Sequence, residues 1–171
     1  FGLLRDYKGV ETLLEAFTRV ETESELWVVG ESWLDQAELD AIAARAPHRV
    51  RFVSRWITEP EIPAYFRRAD LVVLPFRQMA PSGVLHTALA FGKPLVLTRL
   101  GGFVDVGEDH DAARLVPPED PPALAEAIDS LLRDPAELGR LGHAAARAAR
   151  EEYSWQAVAE RTLALYRTLV P

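Results

Sequence analysis

The sequence contains no cysteine, which excludes disulfides, thiol catalysis and thiolate metal sites. It also lacks a basic excess, because 26 acidic residues outnumber 19 lysines and arginines and leave a net charge of −7. Nucleic-acid binding requires cations that neutralise phosphates, so we expect no nucleic-acid partner. No apolar run is long enough to span a bilayer, and no signal peptide is visible. The lack of cysteine fits a reducing compartment, and we therefore expect a cytoplasmic protein.

Motifs for metals and common cofactors are also missing. There is no Gly-x-Gly-x-x-Gly fingerprint, no Walker loop and no nucleophile elbow, which argues against dehydrogenases, NTPases and hydrolases. The histidines are scattered without the spacing of metal ligands, so we expect neither a metal site nor a bound cofactor. These histidines are His48, His86, His110 and His143.

What the sequence does contain is the composition of one globular domain, with 49% apolar and 26% charged residues in a chain of 171. Short β-branched runs alternate with helical patterns, which predicts a doubly wound parallel sheet in three α/β/α layers, followed by C-terminal helices. Strands are predicted at Glu25–Gly30, Val50–Val53, Leu71–Leu74, Pro94–Thr98 and Ala113–Val116. Helices are predicted at Val10–Val20, Glu59–Ala69, Gly83–Gly92, Ala123–Arg133, Pro135–Glu152 and Trp155–Leu169.

The first loop, Gly2–Gly9, is the first candidate site, because ligands of open α/β sheets bind beyond the carboxyl ends of the strands. The chain opens on Phe1, and we expect a strand or an entire domain to precede this loop. Arg5, Lys8 and Gly9 place two cations on glycine-flexible backbone beside a helix N-terminus, a combination that suits a diphosphate. The alternative is a solvated loop with two incidental cations.

The third loop, Pro75–Thr87, leads from a predicted strand into a predicted helix. The amides of Ser82, Gly83 and Val84 are predicted to face an anion with the help of the helix dipole, and Gly83 permits close approach of a phosphate. The alternative is ordinary N-capping by Ser82, which uses the same type of donor and is compatible with anion binding.

The second and fourth loops offer weaker candidates. In the second loop, Ser54–Thr58, either Trp56 or Ile57 could pack on a nucleobase, although packing of Trp56 on a neighbouring helix is the alternative. In the fourth loop, Thr98–Val106, the pair Gly101-Gly102 predicts a tight, mobile turn near the same crevice. Asp105 could contact a sugar hydroxyl or cap the following turn.

Taken in order, several segments resemble the C-terminal, donor-binding domain of family-4, or group 1, glycosyltransferases. The resemblance implies one half of the GT-B fold, in which two Rossmann-like domains face each other across a cleft. It implies that residues 1–171 form a single nucleotide-sugar-binding domain, inactive alone, whose partner is an N-terminal acceptor domain outside this sequence. The segments that carry it are Tyr7-Lys8-Gly9, Ala69-Asp70-Leu71-Val72-Val73-Leu74-Pro75, Ala88-Leu89-Ala90-Phe91-Gly92-Lys93-Pro94 and Leu115–Ile128.

The resemblance also implies a reaction. Members of the family transfer a sugar from a nucleotide donor, such as a UDP- or GDP-sugar, with retention of configuration and without a bound metal. The nucleotide sugar is thus a substrate rather than a cofactor. Any peripheral contact with a membrane is expected through the N-terminal domain.

Roles for single residues follow from the same resemblance. Lys8 matches the basic residue that neutralises the departing diphosphate, and Arg5 substitutes for an arginine that many members carry nearer the first glycine. Two glutamates that are usual in the family fall on Met79 and Thr87, so Thr87 is expected at the ribose and Met79, with Pro81, near the sugar. Because both carboxylates are missing, two alternatives stay open: a non-catalytic GT-B-like interaction module that has lost sugar binding, and a nucleotide-sugar 2-epimerase-like domain.

Overall fold

The computed structural model describes residues 1–169, in which five parallel strands alternate with helices. The strands lie within one residue of the predicted bounds at each end. They are β1 (Glu25–Val29), β2 (Arg49–Val53), β3 (Val72–Leu74), β4 (Leu95–Thr98) and β5 (Ala113–Val116). The helices are α1 (Val10–Phe17), α2 (Gln36–Ala43), α3 (Ile62–Arg68), α4 (Gly83–Ala90), α5 (Gly102–Glu108), α6 (Pro121–Leu132), α7 (Pro135–Glu151) and α8 (Trp155–Leu169).

The three-layer α/β/α architecture is confirmed, and β4 shows how the layers are built. Leu95 and Leu97 contribute to a core shared with α3, α4, α5 and α7, whereas Val96 contributes to a second core shared with α1 and α6. All three side chains are fully buried. Successive side chains of a strand point to opposite faces, so a continuously apolar strand must be covered on both sides.

The strands form two sheets rather than one continuous sheet. β1 pairs with β2, and β4 pairs with both β3 and β5, in every case in parallel. A third core, which includes Leu4, Leu14 and Leu39, packs against the smaller sheet. Between β1 and β3 lies a largely apolar slot of about 360 Å³, so neither facing edge is paired along its length.

Two helices, α2 and α5, were not predicted, and the helix predicted from Glu59 begins differently from its prediction. α2 was not predicted, because only Leu39 and Ile42 are buried and two apolar positions are too few to show a helical period. Asp35 caps this helix by accepting hydrogen bonds from backbone amides of its first turn. The helix predicted from Glu59 starts as a single 3-10 turn, Glu59–Glu61, and becomes α-helical at Ile62. A proline lies near the start of the 3-10 turn and another near the start of α3, and proline lacks the N–H that a regular helix would use.

α8 has the bounds predicted for it, yet none of its side chains is buried. Trp155 at its start is 89% exposed, and further apolar side chains of this helix are exposed along its length. In the part of the chain that the structure describes, no helix combines the length and the apolar character needed to cross a membrane.

Candidate functional site

The first and third loops touch through their backbones at the carboxyl ends of the strands. The amide of Arg77 donates to the carbonyl of Tyr7 over 2.7 Å. Gly9 has a φ of 65°, and a Cβ added there would lie 2.0 Å from the carbonyl oxygen of Pro75. Only glycine combines this left-handed conformation with so close an approach, so Gly9 fixes where the two loops meet.

Lys8 places its ammonium beside the first turn of α4. A Cβ added to Gly2 would lie 3.4 Å from the Lys8 Nζ and 3.5 Å from the Val84 Cγ2, so the three groups share one neighbourhood. Burial lowers the pKa of the Lys8 ammonium below its usual value, and the positive charge of Arg5 lowers it further. The ammonium is therefore a partly desolvated cation held next to a second one.

The start of α4 presents backbone donors to the same neighbourhood. The hydroxyl of Ser82 accepts from the amide of Leu85 over 3.2 Å, which confirms its capping role. The amides of Gly83 and Val84 lie in the first turn, where an α-helix offers no carbonyl acceptor. Nothing lies within 4 Å of the place where a Cβ of Gly83 would stand, so the backbone is open to a ligand.

Arg5 lies on an aromatic ring that the sequence analysis did not consider. Its guanidinium carbon stands 4.3 Å from the centroid of Trp33, in the loop between β1 and α2. Within residues 1–169, no carboxylate lies within 4 Å of either Arg5 or Lys8. The position of Trp33 after the end of a parallel strand is the signal that could have identified this loop as part of the site.

Arg77 is the third cation at these loops, and it is surrounded by acids. Its guanidinium lies 2.7 Å from Asp6, 3.5 Å from Glu11 and 3.7 Å from Glu119. Asp6 belongs to the first loop and Glu11 to α1, so this arginine ties them to the third loop. Its charge is neutralised within the protein, which leaves Lys8 and Arg5 as the cations available to an anion.

The second loop separates the two residues predicted at a nucleobase. Trp56 is 66% exposed, which contradicts the alternative that it packs against a helix. The expectation for Ile57 needs correction, because this side chain is only 8% exposed and packs inside the protein. An ion pair of 2.5 Å between Arg55 and Glu61 braces the loop. Of Trp56 and Ile57, Trp56 is the one whose side chain is open to solvent.

Met79, predicted near the sugar, lies where the third and fourth loops meet, whereas Thr87, predicted at the ribose, lies within α4. Met79 is 56% exposed, and its Sδ would lie 2.3 Å from a Cβ added to Gly101, whose φ is 43°. The turn is confined to Gly101, because α5 already begins at Gly102. The hydroxyl of Thr87 donates to the carbonyl of Gly83 over 2.9 Å, within its own helix.

Comparison with known proteins identifies the family of the chain. Residues 1–134 match the family model described as glycosyl transferases group 1. An MMP alpha-(1->4)-mannosyltransferase from Mycolicibacterium hassiacum is 35% identical over 93% of this chain and 39% of its own length. A glycogen synthase from Mycobacterium tuberculosis is 31% identical over 96% of the chain and 41% of its own length. The chain thus spans about two fifths of these curated relatives.

Solved structures share the fold over nearly the whole chain. A sucrose-phosphate synthase from Thermosynechococcus elongatus superposes with a TM-score of 0.80 at 30% identity, over 98% of this chain and 45% of that one. The C-terminal domain of a Francisella tularensis group 1 glycosyl transferase superposes with a TM-score of 0.81 at 22% identity, over 91% and 84%. Anabaena HepE, solved in complex with UDP, gives 0.82 at 18% identity, over 98% and 48%. The chain therefore belongs to the group 1 glycosyl transferases.

Proposed function

We propose that this chain binds the diphosphate of a nucleotide sugar and forms the donor half of a glycosyltransferase. The observation that carries the proposal is the pair Lys8 and Arg5, two cations without a carboxylate partner in the described chain, of which Lys8 lies beside the open first turn of α4. Like charges held together raise each other's energy, and an anion between them and the helix amides would relieve the repulsion. A diphosphate carries enough charge for both cations.

The catalytic contribution of such a site is stabilisation of the departing nucleoside diphosphate. Lys8 is fixed by the contact between the first and third loops, so its charge needs little reorganisation as negative charge develops on the leaving group. We further propose that these side-chain cations do the work that a divalent metal does elsewhere, and that transfer retains the anomeric configuration. The acceptor would be bound by an N-terminal domain that is the partner of this one.

A second candidate function is an interaction module that has kept the fold but not the sugar site. It is favoured by Met79 and Thr87, the first an exposed thioether and the second a hydroxyl already bonded to the carbonyl of Gly83. Neither offers the charged acceptor that a sugar or ribose hydroxyl would prefer. Nucleotide binding separates the two candidates, since a module of this kind need not retain it.

Calorimetric titration of the chain with UDP, GDP and ADP tests the proposal. At least one of them should bind, and Lys8→Ala should weaken it by roughly 10- to 100-fold, the range for losing a charged hydrogen-bond partner. Lys93→Ala is the matched control, because these are the two lysines of the sequence and Lys93 lies beyond the far end of α4, where its Nζ is 3.4 Å from the carbonyl of Arg67.

The same titrations define the failure of the proposal. If none of the three nucleotides binds the folded chain, the interaction module becomes the better reading. If one binds and Lys8→Ala leaves its affinity unchanged, the diphosphate lies elsewhere. Affinity that is equal with magnesium and with a chelator is expected for a site that uses side-chain cations; a collapse in chelator would contradict that part.

A further inference from the structure

Trp33 lies in the loop between β1 and α2, with its indole ring against the guanidinium of Arg5. The guanidinium carbon stands 4.3 Å from the centroid of the ring. A cation at this distance is attracted by the negative charge on the face of an indole. The side chain of Trp33 is 64% exposed, so burial in the core does not account for a tryptophan at this position.

The backbone fixes Arg5 and Trp33 next to each other. The amide of Leu4 donates to the carbonyl of Glu31 over 2.8 Å, and the amide of Trp33 donates to the carbonyl of Leu4 over 3.0 Å. Leu4 is buried and stands opposite Ser32 in a parallel bridge. The residues that follow such a pair point to the same face, so the register itself makes Arg5 and Trp33 neighbours.

On its other side, Arg5 leads directly to Lys8. The carbonyl of Arg5 accepts from the amide of Lys8 over 2.9 Å, at the start of the 3-10 turn Asp6–Lys8. Burial lowers the pKa of the Lys8 ammonium, and the charge of Arg5 lowers it further. The backbone of Arg5 is therefore held on both sides, and the ring of Trp33 holds the end of a side chain whose charge acts on Lys8.

The ring of Trp33 holds this cation without neutralising it. The indole Nε1 donates to the Oε1 of Glu31 over 3.4 Å, so a carboxylate lies at the edge of the ring while Arg5 lies over its face. A carboxylate in place of the ring would form an ion pair with the guanidinium, as the acids around Arg77 do. An aromatic face orients the guanidinium and leaves its N–H donors for another partner.

We propose that Trp33 is a positioning residue of the diphosphate site, whose ring holds the guanidinium of Arg5 so that Arg5 and Lys8 act on the same anion. The identity of that anion, a nucleoside diphosphate, rests on the proposed function, whereas the contact with Arg5 exists without a ligand. Trp33 acts through Arg5 and does not itself contact the nucleotide. Its removal should therefore weaken binding only while Arg5 is present.

Titration of the lysines by NMR tests the positioning in the absence of nucleotide. Isotope-labelled lysine gives signals for Lys8 and Lys93, the two lysines of the sequence, and Lys93→Ala assigns them. Arg5→Ala should raise the pKa of Lys8, because it removes a like charge. Trp33→Leu should raise the pKa of Lys8 as well, because the freed guanidinium moves away from the ammonium. Trp33→Phe keeps an aromatic face and should restore the lowered pKa, and Trp56→Leu, at an exposed tryptophan of the second loop, is the control that should leave it unchanged.

The titration overturns the proposal in either of two ways. If Arg5→Ala raises the pKa of Lys8 and Trp33→Leu does not, the ring does not hold the guanidinium near the lysine. If Arg5→Ala has no effect, the two cations do not act together. All variants should unfold within about 2 °C of the parent chain, because both side chains are exposed. A much larger loss in Trp33→Leu, with the pKa of Lys8 unchanged, would assign Trp33 a structural role instead.

A double-mutant cycle tests the consequence for affinity, with whichever of UDP, GDP and ADP binds best. Trp33→Leu should weaken binding by about two- to fivefold, the range for an exposed cation–π contact, and Trp33→Phe by less. In the Arg5→Ala chain, Trp33→Leu should have no further effect. An equal loss with and without Arg5 would make Trp33 a ligand contact and overturn its positioning role. If none of the nucleotides binds, the proposed function fails, and the lysine titration alone decides whether Trp33 positions Arg5.

Discussion

The cations around the first loop divide into two groups with opposite surroundings. Arg77 has three carboxylates within 4 Å, from Asp6, Glu11 and Glu119. Lys8 and Arg5, which both lie on the first loop, have no carboxylate within 4 Å in residues 1–169, and the pKa of Lys8 is lowered by burial and by Arg5. A net charge of −7 supplies acids in excess, so unpaired cations in this acidic chain are the less expected arrangement.

The difference separates residues that hold the first and third loops together from residues that are available to a ligand. Arg77 and Gly9 connect the first and third loops, one through charge and the other through a backbone contact. Among the described residues, the buried Nε of Arg77 and Oε2 of Glu11 have no hydrogen-bond partner, so Arg77 acts here through its charge. Lys8 donates to the carbonyl of Phe1 and Arg5 lies over the ring of Trp33, but neither has a carboxylate partner among the described residues. Changes to the residues that hold the loops together should therefore affect stability first, and changes to Lys8 or Arg5 should affect ligand affinity first.

Gly9→Ala should have the largest effect. An alanine Cβ would lie 2.0 Å from the carbonyl oxygen of Pro75 in a left-handed conformation, so the loops must separate, and we expect a loss of roughly 3 kcal/mol or more in unfolding free energy. Urea denaturation measures it. Gly139→Ala is the matched control: nothing lies near that glycine inside α7, and alanine should stabilise the helix by about 0.5–1 kcal/mol. A neutral Gly9→Ala would mean that the loop contact is not a fixed part of the fold.

Arg77→Met should cost less, about 2 kcal/mol, because it leaves Glu11 with other acids and without its partly buried cation. Arg45→Met removes an exposed ion pair with Glu15 and should change the unfolding free energy by no more than about 0.5 kcal/mol. Nucleotide affinity sharpens the comparison. If Arg77→Met stays folded and loses affinity as completely as Lys8→Ala, then Arg77 is a ligand contact and the division into two groups is wrong.

How much of this arrangement the sequence predicts depends on how local each feature is. The five strands and the start of α4 follow from apolar runs and from Ser82-Gly83, which act within a few residues. The cluster around Arg77 joins positions 6, 11, 77 and 119, and no local pattern indicates which acids a given arginine will meet. The contact of Arg5 with Trp33 was missed for the same reason.

The division of the strands into two sheets could not be predicted from the sequence either. Each strand was predicted correctly, but apolar runs do not show which strands are neighbours, and the slot depends on the order β2, β1, β3, β4, β5 in space. The burial of Ile57 next to the exposed Trp56 is a similar case. Both are apolar, and the direction of the second loop decides which of them faces solvent.

The smallest expected effect is a change in how nucleotide affinity depends on pH. In the proposed function the protonated form of Lys8 binds the diphosphate, and the pKa of Lys8 in the free protein lies below the usual value of 10.5 because of burial and Arg5. Affinity should therefore fall as pH rises through that lowered pKa, and binding should take up protons, since an anion raises the pKa again. Calorimetry between about pH 8 and 10, in buffers of different ionisation enthalpy, measures both quantities.

Two variants assign that pH dependence to Lys8. Lys8→Arg keeps the charge but does not titrate in this range, so it should abolish the proton uptake at the cost of a few-fold in affinity, and any remaining slope belongs to the nucleotide itself. Arg5→Ala removes the second cause of the lowered pKa and should move the fall in affinity to higher pH. Unchanged proton uptake in Lys8→Arg would place the titrating group elsewhere and remove Lys8 from the group of ligand-binding cations.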